Sequence, residues 1–320
     1  MIVLRDCGDP TFVDVVGGGC VLGMFVLVWV GSLGTPVLLF TAIRFHWYWT
    51  AATILILSLI AYLPWKKGFA SNMMTKLVDY YHPRYYYSCK TICHPDSVPT
   101  TTTKKLFYAA HPHGAFCLGW STLFHSPKFS SSVRFCFSPA LYASPLFRLW
   151  CRLTGRPGKA DKKSMIHYMR NGEHLALPPG GFEEATLTCL TQDRAYIRKR
   201  AGFVKLCLQH GYQIVPVYCF GEKNTYWNVQ GGWKLRFALN GWGLPAILVW
   251  GLPFLPFIPR RTSLLVAAGP PLACPHIPNP TREEVTLWHE KYMTALRQLY
   301  EQHKSEAYGD DAKTLKLELW

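Results

Sequence analysis

From Val15 to Ile43 the chain carries no charged residue, and after Arg44 a second uncharged run extends from Phe45 to Trp65. Each is about as long as the roughly 20 residues a helix needs to cross a hydrocarbon core. The pattern predicts an N-terminal membrane-embedded helical hairpin over residues 1–65. Its tip carries Arg44, His46, Trp47, Tyr48 and Trp49 at headgroup depth. Gly31, Gly34 and Pro36 interrupt the first run, so a shallow re-entrant hairpin competes with two full spans, and we favour the spans. Asp6, Asp9 and Asp14 stand where a secretory signal would be basic, which argues against a cleaved leader. Lys66, Lys67 and Lys76 follow the second run while Arg44 alone separates the two, an asymmetry that places both termini in the cytosol. Gly19 and Gly23 stand at GxxxG spacing. Close packing inside the hairpin is the favoured reading, and a helix seam in a homo-oligomer is the alternative.

Beyond the lysines the chain changes character, to short apolar runs punctuated by turn residues. Leu106 to Ala110, His174 to Leu177, Gln213 to Phe220 and Ser263 to Ala268 read as short strands. Between them lie helical patterns. Asp161 to Asn171 places Met165, Ile166 and Met169 on one face, with an acidic start and Gly172 after its end. Ala195 to His210 reads as a basic amphipathic helix closed by Gly211. A final helix opens on Thr281 and Glu284 as a capping box and keeps Val285, Trp288, Tyr292, Leu296 and Leu299 in helical register. A third uncharged run, Phe237 to Pro259, contains Pro245, Pro253, Pro256 and Pro259. So much proline predicts irregular apolar structure that lines a lipid-facing pocket or dips into the leaflet, in preference to a third span. Apart from the Thr100 to Thr103 run, no repeat or low-complexity tract occurs. Strands alternating with helices indicate an α/β fold built on a mostly parallel sheet, over residues 66–320.

Composition sharpens the membrane reading. Hydrophobic residues make up 49% of the 320 and charged ones 17%, with mean hydropathy +0.06, above a typical soluble domain. The 12 Trp, 17 Tyr and 18 Phe suit apolar ligands and bilayer interfaces. A net charge of +15 favours anionic partners: nucleic acid, an anionic leaflet or a substrate bearing phosphates. No nucleic-acid module leaves a signature, so nucleic acid is set aside. The 11 cysteines include no CxxC pair. Neither a disulfide framework nor a metal site is expected, and free thiols indicate reducing surroundings.

The candidate chemistry sits where the strands end. His111-Pro112-His113-Gly114 follows the first strand, Pro178-Pro179-Gly180-Gly181 the second and Gly221-Glu222 the third. In a parallel sheet ligands bind beyond the carboxyl ends of the strands, so these corners would meet at one edge. A turn with no further function explains His-Pro and His-Gly pairs equally well, but not their company. There is no GxSxG elbow and no phosphate-binding P-loop. A histidine near neutral pKa, backbone N–H groups at paired glycines and a nearby carboxylate suit acyl transfer.

At these residues the sequence resembles the type 2 diacylglycerol acyltransferases, a family that includes monoacylglycerol and wax-ester acyltransferases. The resemblance is carried by YYHPRYY, AAHPHGAF, PPGGFEEA, RKRAGFVKLCLQHGYQIVPVYCFGE, and AAGPP with the helix ending at HKSEAYG, roughly Asp79 to Gly309. It implies an acyl-CoA co-substrate with no further cofactor, a neutral lipid acceptor, and residence in the endoplasmic reticulum membrane or on lipid droplets. Diacylglycerol is the favoured acceptor, with monoacylglycerol or a fatty alcohol as alternatives. The basic-glycine-phenylalanine block carries an extra alanine, Arg200-Ala201-Gly202-Phe203. Glycerolipid acyltransferases that use phosphorylated acceptors carry a His-x4-Asp motif and an arginine after their glycine. Here no histidine has an acid five residues on, and Phe182 follows the glycine pair, which points to a neutral acceptor. Two rival readings, a non-catalytic hairpin protein of lipid droplets and an acyl-CoA-binding or lipid-transfer module, leave the three corners without a task.

The resemblance places the essential histidine in the HPHG corner, and we take His113 as the general base. Pro112 would set the approach and Gly114 would admit the acceptor. His111 either supports His113 or is structural. Glu184 would orient His113 or cap a helix, and we favour orientation. Gly180 and Gly181 would supply oxyanion N–H groups. Arg198, Lys199, Arg200 and Lys205 would hold acyl-CoA phosphates unless they form only a solvated face, and Glu222 would bind or structure the edge.

Overall fold

The computed structural model describes every residue except Cys7, 64–68, 101–104 and 244–245. Lys66, Lys67, Pro245 and most of the threonine run therefore lie outside the described residues. Twelve strands are described: β1 (Ile2–Arg5), β2 (Lys90–Cys93), β3 (Leu106–His111), β4 (Val133–Phe137), β5 (Pro157–Lys159), β6 (His174–Leu177), β7 (Asp193–Ala195), β8 (Gln213–Phe220), β9 (Trp227–Asn228), β10 (Val249–Trp250), β11 (Leu265–Ala268) and β12 (Leu317–Leu319). Eight of them form one sheet in the order β1-β2-β11-β8-β3-β6-β4-β5. From β8 to β5 all neighbours run parallel. β11 is antiparallel to β8 and parallel to β2, and β1 is antiparallel to β2. This is the expected mixed α/β fold with a mostly parallel sheet.

Both faces of the sheet are covered, and the period-2 pattern assigns them. Leu106, Tyr108 and Ala110 of β3, with Val215, Val217 and Cys219 of β8, face one core. Phe107 and Ala109, with Ile214, Tyr218 and Phe220, face the other. The first core is completed by the helix Leu118–Phe124, the helix Pro145–Thr154 and part of the N-terminal helix. The second is closed by helices Lys162–Arg170, Gly202–His210 and Arg282–Tyr308.

The N-terminal helix is continuous from Phe12 to Arg44, 33 residues, with Thr11 and Asp14 forming a capping box at its start and Pro36 accommodated inside it. The segment Phe12–Ser32 is long and apolar enough to cross a membrane. The second leg is a helix of only 15 residues, Tyr48–Tyr62. At 1.5 Å per residue it is about 22 Å long, short of a ~30 Å hydrocarbon core. The second helix is therefore shorter than the first, because residues 45–47 make the tip and it begins only at Tyr48. Val21, Leu22, Phe25 and Val26 are buried in the same core as β3 and β4. The Phe25 ring meets Phe147 at 6.3 Å and His125 at 5.5 Å. At the glycines the helix packs on its own chain: a Cβ at Gly19 would lie 3.0 Å from the Tyr86 ring, and one at Gly23 3.6 Å from Ile258.

The basic helix expected over Ala195 to His210 begins only at Gly202. Asp193–Ala195 instead form a strand held by the C-terminus, and a turn over residues 198–201 leads into the helix. β7 pairs with β12 in parallel, and the amides of Ile197 and Arg198 both donate to the Trp320 carbonyl, at 2.9 and 2.7 Å. A partner 122 residues away in sequence is invisible to local periodicity. The Phe237 to Pro259 run is irregular, as expected. A helix, Trp233–Gly241, enters it, and the two-stranded ribbon β9–β10 closes on it. No described helix within it is long enough to span.

Candidate active site

β8, β3 and β6 are parallel neighbours, so their carboxyl ends lie along one edge. His111 closes β3 opposite Tyr218 of β8. The four-residue corner His111–Gly114 turns there through a cis His111–Pro112 peptide, and Gly114 has φ +61°. PPGG follows β6 and Gly221-Glu222 follows β8. The three corners predicted to converge do so.

Glu184 is the centre of the arrangement. It lies in the short helix Gly181–Leu187, 1% exposed. Its carboxylate accepts three hydrogen bonds: from the His111 Nδ1–H at 2.6 Å, from the His113 backbone N–H at 2.8 Å and from the Tyr196 backbone N–H at 2.9 Å. Gly180 makes room for it, since a Cβ there would meet the Glu184 side chain at 2.5 Å. Glu184 therefore does not touch the His113 ring. It holds the residue through its backbone.

The two histidines of the corner part company. With Nδ1 committed to Glu184, the other His111 nitrogen, Nε2, accepts from the Tyr292 hydroxyl at 3.0 Å. Both ring nitrogens of this 1% exposed side chain are occupied. His113 is 8% exposed. Its Nδ1–H donates to the Gly114 carbonyl at 2.8 Å, which fixes the tautomer and leaves Nε2 with its lone pair. Among the described residues Nε2 has no hydrogen-bond partner. Burial pulls the His113 pKa below its ordinary value, opposed by the Gly114 carbonyl and by the charge of Glu184.

Glu222 serves the corner from the other side. Its carboxylate accepts the N–H of Leu118 at 3.0 Å and of Gly119 at 2.6 Å, tying the start of the next helix to the end of β8. Burial pushes its pKa up to about 7 against the lowering effect of those two amides. A Cβ on Gly114 would stand 2.2 Å from Glu222 Oε1. Close approach to Glu222 and a left-handed φ together require glycine here. The Gly181 amide closes a turn on the Pro178 carbonyl at 3.3 Å.

Beside this edge lies a groove of about 540 Å³ whose lining includes Lys199, Arg200 and Lys205 together with Leu177, Pro179 and Phe203. Three of the four predicted basic residues thus share one cavity. Arg198 does not line it: its Nε donates to the Leu319 carbonyl at 2.8 Å, because β12 lies alongside. Arg200 also pairs with Glu183 at 2.5 Å. Two residues escaped the sequence reading. Lys162, from the helix after β5, lines the same groove, and no local motif marks it. Tyr292 shows only as a member of an apolar helical stripe, where a tyrosine reads as core. Its hydroxyl reaches His111 across 181 positions.

The family model described as diacylglycerol acyltransferase matches residues 37–319. The 2-acylglycerol O-acyltransferase 1 of Bos taurus is 33% identical over 227 residues, 63% of this chain and 66% of that protein. The diacylglycerol O-acyltransferase 2 of Xenopus tropicalis is 26% identical, covering 91% of this chain and 87% of that one. The human acyl-CoA wax alcohol acyltransferase 2 is 28% identical, over 84% and 86% respectively. Among solved structures, the 1-acyl-sn-glycerophosphate acyltransferase of Thermotoga maritima aligns over 85% of this chain and 97% of its own, with TM-score 0.44 and 11% identity. With the family model matched over residues 37–319, which include both histidines and the groove, this chain belongs to the diacylglycerol acyltransferase family.

Proposed function

We propose that the chain transfers an acyl group from acyl-CoA to the hydroxyl of a neutral lipid, diacylglycerol in the first place, with His113 as the general base. One observation carries the assignment. Of the two histidines in the corner, only His113 keeps a ring nitrogen free, because Gly114 takes its Nδ1–H while Glu184 and Tyr292 occupy both nitrogens of His111.

The chemistry then follows the geometry. Nε2 of neutral His113 takes the acceptor's hydroxyl proton as that oxygen bonds to the thioester carbon. The carbonyl oxygen gains the negative charge, and backbone N–H groups at Gly180 and Gly181 are the proposed donors to it. Gly181 would exchange its long turn bond for this one. Collapse re-forms the carbonyl and breaks the C–S bond. The His113 imidazolium returns its proton to the departing thiolate, giving ester and free CoA. A depressed pKa keeps His113 neutral, and so basic, at physiological pH. Acid–base chemistry at one imidazole needs no metal or further cofactor. Lys199, Arg200 and Lys205, joined by Lys162, would hold the phosphates of CoA in the adjoining groove.

The setting suits a lipid acceptor. Leu27, Phe40 and Trp49 are exposed along the hairpin, and Trp242, Phe254 and Leu255 along the 237–259 segment. The two patches adjoin where Ile258 packs near Gly23. Contiguous exposed apolar surface of this kind marks a membrane-facing side. We assign residues 1–65 as the anchor of a catalytic domain over 66–320, in the endoplasmic reticulum membrane or on lipid droplets, with both termini cytosolic. Assembly into a homo-oligomer would have to use a surface other than the Gly19 and Gly23 positions, which pack within the chain.

The test is a competition assay in microsomes carrying the chain, with one labelled acyl-CoA and diacylglycerol, monoacylglycerol, a fatty alcohol and lysophosphatidate as acceptors. Triacylglycerol should be the main product. A preference for lysophosphatidate would overturn the neutral acceptor, since Phe182 stands where a phosphate would need a cation.

A further inference from the structure

At the other end of the sheet a second cavity, about 340 Å³, is lined by four arginines: Arg134, Arg148, Arg152 and Arg156. Arg134 comes from β4, Arg148 and Arg152 from successive turns of the helix Pro145–Thr154, and Arg156 from the link to β5. Like charges four residues apart on a helix repel, and no carboxylate lines the cavity among the described residues. The Arg152 pKa is held below its ordinary value by burial first and by the Arg148 charge second.

Each guanidinium is nevertheless fixed in place by contacts that leave it in the cavity wall. Arg134 Nε and Arg156 NH2 both donate to one Glu173 oxygen, at 2.7 and 2.9 Å. Arg134 also donates to the Pro157 carbonyl at 2.9 Å. Arg148 Nε and Arg152 NH1 donate to the Ala61 carbonyl at 3.1 and 2.7 Å. The Arg148 guanidinium stacks between Tyr62 at 4.5 Å and Tyr142 at 4.6 Å. Guanidiniums oriented in advance around a polar cavity are what a tetrahedral oxyanion with several acceptor oxygens needs. Ala61 and Tyr62 end the second apolar helix, so the cavity opens where that helix would leave a bilayer.

We propose that this cavity is a phosphate-binding site at the base of the hairpin, separate from the acyl-transfer edge. Its occupant is a phosphate group, carried either on a lipid headgroup or free in solution.

Thermal unfolding of the full chain in non-ionic detergent tests this without reading acyl transfer, so its failure leaves the proposed reaction untouched. Inorganic phosphate should raise the unfolding temperature saturably above chloride at matched ionic strength. Arg156→Gln should abolish the rise. Arg156→Lys, which keeps the charge and loses the planar fork, should weaken half-saturation by about ten-fold. Nanodiscs assign the source. If phosphatidic acid in phosphatidylcholine discs removes the response to added phosphate, the site takes a headgroup. If the response persists in such discs, it takes a soluble phosphate. A wild-type chain with no phosphate-specific rise, or an Arg156→Gln chain with unchanged half-saturation, overturns the site.

Discussion

Glu184→Gln is the change that most directly tests how the site is held. The carboxylate receives three N–H donors, two on Oε1 and one on Oε2. A glutamine keeps one acceptor and replaces the other with a donor. With its oxygen at the Oε1 position, the new NH2 opposes the His113 amide, which stands 2.8 Å from the present Oε2. Flipped, it opposes both His111 and Tyr196. Either way at least one hydrogen bond to a charged group is lost, worth about 1.5–3 kcal/mol, and the backbone of His113 must move. A shift of about 1 Å at a catalytic group costs about 10²-fold in rate. The pH profile separates positioning from mere stability. Burial lowers the His113 pKa, and the Glu184 charge is among the effects that raise it. Removing that charge lowers the pKa further. The acidic limb of kcat/KM, which reports the loss of neutral His113, should therefore move to lower pH in the variant. The assay is triacylglycerol formation from labelled acyl-CoA across pH, in solubilised enzyme matched for folded protein. Wild-type turnover with an unmoved acidic limb would refute both the role of Glu184 and the assignment of His113 as base.

Four further outcomes follow from the same geometry. His113→Ala should lose about 10²–10⁴-fold in ester formation while abundance and membrane association stay near wild type; sustained turnover in a well-folded variant would remove His113 from the reaction. Gly114→Ala places a Cβ 2.2 Å from Glu222 Oε1 at φ +61°, so we expect a loss of at least ~1–2 kcal/mol from backbone strain alone, read as a lower unfolding temperature and lower yield. Burial pushes the Glu222 pKa up to about 7 from its ordinary 4.5. Its contribution to stability is therefore full below that lower value and lost as pH rises through about 7, and Glu222→Gln should flatten the fall between them; parallel pH–stability curves would contradict the burial argument. Glycosylation acceptors added at either terminus should stay unmodified if both ends are cytosolic, and efficient modification at one would reverse the orientation.

What the chain determines by itself is the local grammar of the fold. Short apolar runs at Leu106–Ala110 and Gln213–Phe220 name two central strands, and the pleat of a strand sorts their side chains between the two cores. Capping residues such as Asp161 and Thr281, and the glycine after His210, mark helix ends because the interactions that end a helix lie within a turn of it. The three glycine- and histidine-bearing corners can be placed at strand ends for the same reason. Tertiary structure decides what those corners do. That both ring nitrogens of His111 are hydrogen-bonded follows from Glu184 and Tyr292, which are 73 and 181 positions away. No spacing rule relates them. The strand Asp193–Ala195 depends on the C-terminal strand, whose backbone hydrogen bonds to it and to Ile197 and Arg198 replace those of the helix that the local pattern suggests. The edge strand Ile2–Arg5 and its neighbour Lys90–Cys93 are short, and their pairing comes from neighbours distant in sequence. Likewise the four arginines beneath the hairpin are spread over 23 positions as ordinary charges, and only the packing of a helix against two strands turns them toward one cavity. Contacts within a few residues are written in the local pattern. Contacts across the sheet are set by which elements can bury their apolar faces together.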